Sequence, residues 1–394
     1  MISLETQHFN LSRILLLTIG LWPYERSKFV LFQQIILFGI LTSFVAFQFT
    51  VFLTTKCTIN FIIRILSFIL FFIAFIIKYN SFWINSQSVK NFLEELKHVC
   101  NDLKDENEIN VMKKYGKNTE SYTAKIILIT VISTVSIIFA SIWPLILDII
   151  LPKNESRPHL AMHIMTEYFI DQEKYYYLIL FHMNAAFCIG AITMIATGTM
   201  LIGYLKHACG MFRIASYRFE KAMIINNLQN RFDNEIIIYK GIIYAVNVHR
   251  KALQFSKSLI SCFEGSFFFL IAVGVLNLSF NLCRIFQIVS FGGNKEEFIL
   301  HLITITVTLL YMFLANYAGQ EITDHNNHVF FTVYNVRWYI APLHVQKLIL
   351  FLLQIGNKAF GLNVGGLFVA SLNCFASLMS ASISYFTVMY STQQ

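Results

Sequence analysis

The chain has 394 residues, of which 56% are hydrophobic and only 13% are charged, and its mean hydropathy is +0.59. Soluble domains typically carry about 25% charged residues. The composition therefore excludes an ordinary soluble protein and indicates an integral membrane protein. The net charge of +8 is explained by membrane topology and by anionic lipid at the membrane surface, so no nucleic-acid partner is expected.

A helical membrane span needs roughly 20 predominantly apolar residues. In chain order, such segments occur at 29–53, 59–80, 124–151, 175–205, 258–288, 298–319 and 363–390. The apolar runs lack the period-two alternation of a transmembrane barrel. The sequence therefore predicts an all-α integral membrane protein with seven transmembrane helices.

The segments outside these spans are also expected to be mostly helical. Residues 1–28 contain an apolar run too short to span a membrane, which predicts an interfacial helix. Residues 29–319 are predicted to form a six-helix membrane bundle, with amphipathic helical extensions at 86–123 and 206–257. Within 320–362 a further helix is predicted to start after Pro342 and to end near Gly356, and 363–394 is predicted as a terminal helix.

Basic residues set the expected orientation, because Lys and Arg accumulate in cytoplasmic loops. Of the 30 Lys and Arg residues, 22 lie in the N-terminal segment and the even-numbered loops, whereas five lie on the opposite side. The sequence therefore predicts a cytoplasmic N-terminus, an extracellular C-terminus and a helical cytoplasmic anchor region at 320–362. Asn154 begins the sequon Asn154-Glu155-Ser156 in the loop after the third span, which makes it the predicted glycosylation site.

The last span carries small and hydroxylated side chains on one face. Ser377, Ala381, Ser384 and Val388 follow one another at three- or four-residue steps, and Ser391 or Thr392 continues the row. Such a row permits close helix packing. It equally suits a water-filled lumen in which an apolar ring at Val388 forms a constriction. The residues alone leave both readings open.

Enzymatic motifs are missing from the sequence. It has no Gly-rich phosphate loop, no H-E-x-x-H motif and no convincing nucleophile elbow. The seven cysteines show no metal-site or disulfide spacing. The chain is therefore not expected to be an enzyme, and no cofactor or metal is predicted.

Three short stretches carry a resemblance to a known family. The segments "LTIGLWPYE" before the first span, "APLHVQKLILFLLQ" before the last span and the closing "SYFTVMYS" together resemble an insect odorant receptor. The leucine-tryptophan-proline element looks like the tuning receptors of ants, bees or wasps. The seven-span plan with a cytoplasmic N-terminus is similar to that family over the whole chain.

The resemblance implies a specific function. The chain would be the odorant-binding subunit of a heteromeric, ligand-gated, non-selective cation channel. Its ligand would be a volatile or lipophilic small-molecule odorant, and its partner would be an odorant receptor co-receptor within a heterotetramer. The channel would sit in the plasma membrane of an olfactory neuron dendrite, in contact with membrane lipid.

The resemblance also implies site residues. The last helix would line the pore, with an apolar ring at Val388, a polar position at Ser391, a second gate position at Thr392 and Ser384 on the same face. Thr392 departs from the co-receptor pattern by being polar. The odorant would bind in the outer half of spans two to six, where the candidates are Ile69, Phe72, Ser136, Phe139, Trp143, Met183, Phe187, Phe280, Thr304, Val307 and Tyr311. Trp143 is the strongest candidate.

Three other classes of membrane protein remain as alternatives to this interpretation. A gustatory receptor-type channel shares the same plan, although the terminal motifs favour the odorant branch. A G-protein-coupled seven-helix receptor would place its N-terminus outside, against the distribution of basic residues, and no N-P-x-x-Y motif is present near the end. A transporter would more often show internal repeats and broken helices.

Overall fold

The structure, a computed structural model, describes residues 9–150, 164–224, 231–292, 295–356 and 360–392. Its helices are α1 (Asn10–Thr18), α2 (Lys28–Phe49), α3 (Val51–Thr54), α4 (Ile59–Ile84), α5 (Ser86–Asp102), α6 (Glu106–Ile150), α7 (Tyr176–Ile224), α8 (Arg231–Phe291), α9 (Lys295–Asn335), α10 (Leu343–Gly356) and α11 (Leu372–Ser391). A 3₁₀ turn covers Trp338–Ile340, and two short strands are β1 (Asn363–Val364) and β2 (Phe368–Val369). Within the described ranges, seven helical segments are long and apolar enough to cross a membrane: α2 with α3, α4, α6, α7, α8, α9 and α11. The predicted all-α fold with seven spans is confirmed.

Four of the spanning helices are much longer than a membrane is thick. The 49 residues of α7 and the 61 of α8 extend about 73 and 92 Å at 1.5 Å per residue, whereas the hydrocarbon core is about 30 Å thick. The helices therefore continue past the membrane at one end of the bundle. We call this the extension end; it holds the start of α6 and α8 and the end of α7 and α9. The opposite end, with the connections at 55–58, 164–175 and 292, is the short-loop end.

The central helix of the bundle is α7, which packs against α1, α2, α4, α6, α8 and α9. Small residues along α7 allow this close approach. A Cβ atom added at Gly190 would overlap the ring of Phe75 on α4, and one added at Gly203 would overlap the ring of Phe9. Because Gly190 and Gly203 have no Cβ atom, the rings of Phe75 and Phe9 pack directly against the backbone of α7.

The N-terminal helix lies on this scaffold. The hydroxyl oxygens of Ser12 on α1 and Thr199 on α7 are 3.0 Å apart in a buried contact, and Leu16 is fully buried. The Tyr79 hydroxyl on α4 donates to the Ile19 carbonyl at 3.0 Å. The segment predicted as an interfacial helix is thus bound to the bundle through polar and apolar contacts.

The prediction that the last helix starts at residue 363 was wrong. Residues 363–369 form an antiparallel hairpin that pairs Asn363 with Val369. Gly365 and Gly366 in its turn have φ values of +65° and +69°, which glycine adopts without a Cβ clash. The Ser371 hydroxyl then accepts a hydrogen bond from the Cys374 N–H at 3.1 Å and caps α11. Gly365 and Gly366 therefore form a turn that precedes the last helix.

The segment predicted as an anchor contains two helical parts. Helix α9 continues past the expected boundary at 319 as far as Asn335. Helix α10 begins at Leu343, directly after Pro342, and ends at Gly356, as the sequence predicted. Val345 and Ile349 on α10 are buried in the main apolar core. Helix α10 is therefore part of the packed core at the extension end.

Candidate ligand pocket and pore helix

Predicted ligand residues on α4 and α7 meet in one aromatic cluster. Ile69 and Phe72 are fully buried, and the Phe72 ring centre lies 4.6 Å from that of Phe44 on α2. The half-buried Phe187 on α7 lies 6.4 Å from Phe71 and 6.5 Å from Phe75. Met183 also packs against this core. The rings of Phe71 and Phe75 thus link Phe72 to Phe187, and Ile69 and Met183 belong to the same extended apolar core.

Predicted ligand residues on α8 and α9 lie in more varied surroundings. Thr304 is buried, and its hydroxyl donates to the Leu300 carbonyl at 2.9 Å. Phe280 and Tyr311 are half-buried, whereas Val307 is exposed. Their role as ligand contacts stays a prediction.

Ser136 and Phe139, two of the three candidates on α6, are exposed in this chain. The Ser136 hydroxyl donates to the Ile132 carbonyl at 2.8 Å, and Phe139 is 53% exposed. The side chain of Trp143 lies outside the described residues, as does Asn154. The structure therefore leaves the contribution of α6 to a ligand site as a prediction.

The connection at 164–175 is attached to this aromatic cluster from the short-loop end. The Glu167 N–H donates to the Phe47 carbonyl at 2.9 Å, and the Tyr168 ring stacks on Phe47 with centres 4.2 Å apart. The Tyr168 hydroxyl lies 2.7 Å from Nδ1 of His182 on α7. Burial raises the pKa of Tyr168 to about 12, so the phenol is neutral at physiological pH. Phe44 contacts the same His182 ring at 5.7 Å, which links the loop to the cluster.

A polar cluster at the short-loop end was missed by the sequence reading. Glu297 on α9 accepts from Nε of Arg284 on α8 at 2.8 Å and lies 3.1 Å from Nε of Arg64 on α4. One turn further along α9, Nδ1 of His301 lies 2.8 Å from Oδ1 of Asn281. The sequence reading had Glu297 one residue outside the sixth span. Glu297 and His301 are four residues apart, so they share one face of a helix. That spacing is the feature of the sequence that could have indicated the cluster.

Lys78 on α4 is buried inside the bundle. Its side chain is 2% exposed, and its ammonium lies 5.2 Å from the Phe267 ring and 5.3 Å from the Tyr311 ring. Both distances are within the range of a cation–π contact. Lys78 therefore connects α4 to α8 and α9 next to one of the predicted ligand residues.

Helix α11 has one face against the bundle and one face exposed. Leu378 and Ser382 are buried, and the Ser279 hydroxyl on α8 donates to the Ser382 carbonyl at 2.9 Å. Tyr390 packs against Phe286 with ring centres 4.5 Å apart. All four predicted pore residues are exposed: Ser384, Val388, Ser391 and Thr392. The helix is thus fixed by α8 and presents the predicted row away from this contact.

Two cavities lie nearer the extension end, and neither is lined by a predicted ligand residue. The first, of about 50 Å³, lies among α1, α5, α6 and α7. The second is an open groove of about 580 Å³ between the α4–α5 junction and α8. Among the described residues, no group of three or more His, Cys, Asp or Glu side chains is arranged to hold a metal ion.

Comparisons with known proteins match the chain to one protein family and to one curated relative. The family model described as 7tm Odorant receptor matches residues 58–383. A curated Drosophila melanogaster protein, "Putative odorant receptor 92a", is 23% identical over 145 residues, which cover 36% of this chain and 34% of that protein. The alignment therefore spans about a third of the relative's length.

Two solved structures share the fold. The insect olfactory receptor OR5 from Machilis hrabei in complex with eugenol has a TM-score of 0.77 at 13% identity, over 99% of both chains. The same receptor described without a ligand has a TM-score of 0.76 at 14% identity, over 97% of both chains.

Proposed function

The chain belongs to the 7tm Odorant receptor family, and from that premise we propose that it is the odorant-binding subunit of a ligand-gated, non-selective cation channel in the plasma membrane. The observation that carries the proposal is the family match over residues 58–383. Membership in this family also assigns the chain to receptor proteins rather than enzymes.

The ligand class follows from the aromatic cluster and from the relative. OR5 of Machilis hrabei is described in complex with eugenol, a small and largely apolar molecule. The cluster around Phe72 and Phe187 offers aromatic surface, and such surface binds ligands mainly by burial and shape. A small apolar odorant in the short-loop half of the bundle is the ligand we assign.

The distribution of basic residues supports an orientation in the membrane, and the exposed face of α11 supports a pore. The extension end carries most of the basic residues, so it faces the cytoplasm and the short-loop end faces outside. Four copies of α11 surround the conduction path, with Ser384, Val388, Ser391 and Thr392 toward the axis. The packing of the opposite face on α8 supports this orientation of the helix. A co-receptor subunit supplies the remaining copies and the tighter gate, because Thr392 is polar.

The test is a current recording from cells that express this chain with and without an odorant receptor co-receptor. A mixed odorant panel that includes eugenol is applied while G-protein signalling is blocked. We expect a fast inward current that requires the co-receptor and survives the blockade. A current that disappears under the blockade, or that is equal without the co-receptor, contradicts the proposed heteromeric channel.

A further inference from the structure

The open groove between the α4–α5 junction and α8 is not used by the proposed odorant site. It measures about 580 Å³, within the roughly 300–1,000 Å³ of small-molecule sites. Its wall includes the buried ring of Phe92. Its polar lining comes from Asn85 and Ser88 at the α4–α5 junction and from Lys257, Ser258 and Ser261 on α8.

The groove lies at the depth of lipid headgroups. The 26 residues of α4 extend about 39 Å at 1.5 Å per residue, and a bilayer with its headgroup regions is about 40–45 Å thick. Asn85 directly follows α4, so a helix that starts at one membrane surface places it near the other surface. On α8, Lys257 directly precedes the apolar run 258–288. Trp83, two residues before Asn85, is of a residue type enriched at membrane interfaces.

Lys257 gives the groove a positive charge that its lining does not neutralise. The side chain is exposed and lines the groove, so it is open to a bound molecule. Its ammonium lies 5.8 Å from the centre of the Phe360 ring, which is a cation–π distance. Within the described ranges Lys257 forms no salt bridge with a carboxylate, and none of the described residues that line the groove is Asp or Glu. The groove therefore favours an anion over a cation.

Two hydroxyl groups beside this charge are also open to a ligand. Ser258 and Ser261 are exposed, and their three-residue spacing places them on one face of α8. Neither hydroxyl forms a hydrogen bond with another residue in the described part of the chain. The hydroxyl of the neighbouring Ser256, in contrast, is buried and donates to the Ala252 carbonyl at 2.8 Å. An ammonium group and two hydroxyl donors match the oxygen atoms of a phosphate group.

Toward the membrane, the same face of α8 continues with apolar surface. Gly265 and Phe268 follow Ser261 at steps of four and three residues, so they share its face. Phe268 is 37% exposed, and Gly265 faces open space. On the other side of the groove, Ile84 directly precedes Asn85 and is 72% exposed. An acyl chain can therefore lie along this surface while the phosphate of the same molecule occupies the groove.

We propose that the groove binds the headgroup of an anionic glycerophospholipid from the membrane leaflet at the extension end. The phosphate contacts Lys257, Ser258 and Ser261, and an acyl chain lies along Gly265. Because the described lining has no carboxylate, the cation of a zwitterionic headgroup finds no counter-charge there, and an anionic lipid is preferred over phosphatidylcholine. The site goes beyond the proposed function, since its occupancy is measurable without an odorant or a current.

The test counts the lipids that bind to the purified full chain by native mass spectrometry. The chain is titrated with dioleoyl phosphatidylserine or dioleoyl phosphatidylcholine, which differ only in their headgroups. We expect phosphatidylserine to bind more tightly. Lys257→Gln removes the ammonium group, so it should weaken phosphatidylserine binding about fivefold and reduce the preference over phosphatidylcholine. Lys257→Arg keeps the charge and should retain both.

Further variants separate this site from general surface charge. Lys251→Gln is the matched control, because it removes an exposed ammonium group on the same helix that does not line the groove; it should leave lipid binding unchanged. Ser261→Trp fills the groove without a change of charge and should weaken phosphatidylserine binding. Unaltered binding in Lys257→Gln or Ser261→Trp, or equal losses in Lys257→Gln and Lys251→Gln, overturns the site.

Two further outcomes test the identity of the ligand. Equal binding of the two lipids to the unmodified chain overturns the preference for an anionic headgroup. Glycerol 3-phosphate carries the phosphate without acyl chains, so at millimolar concentration it should not displace phosphatidylserine. Displacement would assign the groove to a soluble phosphate compound and overturn the lipid assignment.

Discussion

Two donors of Arg284 converge on a single oxygen of Glu297, with Nε at 2.8 Å and Nη2 at 2.7 Å from Oε1. Arg64 lies 3.1 Å from the same oxygen, and the Glu297 side chain is 6% exposed. One carboxylate therefore connects α4, α8 and α9 at the short-loop end. A charge at this depth is stable only while it is paired.

Glu297→Gln should lower the stability of the folded chain. The substitution leaves the guanidinium groups of Arg64 and Arg284 without this counter-charge. The cost is about 3 kcal/mol, the lower end for a broken buried pair, because both arginines are partly exposed. Thermal unfolding of the purified chain measures the loss. The matched control is Glu173→Gln, at an exposed position of the same end of the bundle. Equal midpoints for the two variants would show that the cluster contributes little.

The seven spans could be predicted from the sequence because a run of about 20 consecutive apolar residues is enough to identify each one. The Glu297 cluster was not readable, because it depends on which faces of α4, α8 and α9 meet. Helix α10 was placed correctly since Pro342 and Gly356 mark its ends. The hairpin at Gly365 and Gly366 was missed because small residues serve both helix packing and left-handed turns.

The candidate ligand residues have different surroundings for a related reason, and their role as ligand contacts stays a prediction. Ile69 and Phe72 on α4 lie in the buried core and Met183 and Phe187 on α7 pack against it. All four are recognisable because they lie in long apolar stretches. Burial alone does not distinguish Phe72, which is 1% exposed, from a side chain that touches a ligand. The exposure of Phe139 depends on how α6 packs, which periodicity does not determine.

Lys78→Met should leave the stability unchanged or increase it. The ammonium group of Lys78 is desolvated between two aromatic rings, and replacing a buried charge by an apolar side chain of similar length is often neutral or favourable. Thermal unfolding of the purified chain measures the change. Tyr311→Leu should lower stability by about 1–2 kcal/mol, since it removes one of the two rings facing the charge. If Lys78→Met were the more damaging variant, an additional contact of the ammonium group would be required.

Phe187→Ala and Phe72→Ala should separate ligand recognition from packing. Phe72 is fully buried, so its truncation should cost about 3–5 kcal/mol and reduce the amount of protein at the cell surface. Phe187 is half-buried, so its truncation should preserve surface expression while it changes the order of responses across an odorant panel. Surface labelling and current recordings on the same cells measure both effects. An unaltered response order in Phe187→Ala would exclude Phe187 from the ligand contacts.

Tyr168→Phe should weaken the attachment of the connection at 164–175 without removing its stacking on Phe47. The loss is one hydrogen bond to His182, about 1 kcal/mol, whereas Tyr168→Ala also loses the aromatic pair. Hydrogen exchange of residues 164–175 should increase slightly in the first variant and strongly in the second. Equal exchange in the two variants would indicate that the stacked ring contributes nothing.

The raised pKa of Tyr168 predicts that the attachment of residues 164–175 weakens at alkaline pH. Because the folded pKa is raised to about 12 from an ordinary value near 10, the folded state favours the neutral phenol. The associated stability is fully present below pH 10 and is lost as the pH rises from about 10 to about 12. Hydrogen exchange measured across this interval, with the known pH dependence of intrinsic exchange removed, should show the loop loosening in the native chain. Tyr168→Phe should not show this change.

Val388→Lys should reduce cation conduction and shift the reversal potential of the odorant-evoked current. In the proposed assembly Val388 faces the axis, and it is 60% exposed on the side of α11 away from the contact with α8. A positive charge about 4 Å from a passing cation costs about 1 kcal/mol in water, which corresponds to roughly a fivefold loss of conductance. Val388→Ile keeps the apolar character at the same position and should leave the reversal potential unchanged. Surface labelling must show equal expression of both variants. If Val388→Lys reaches the surface and conducts like the unmodified chain, Val388 does not face the pore, and α11 must then use its small residues for helix packing instead.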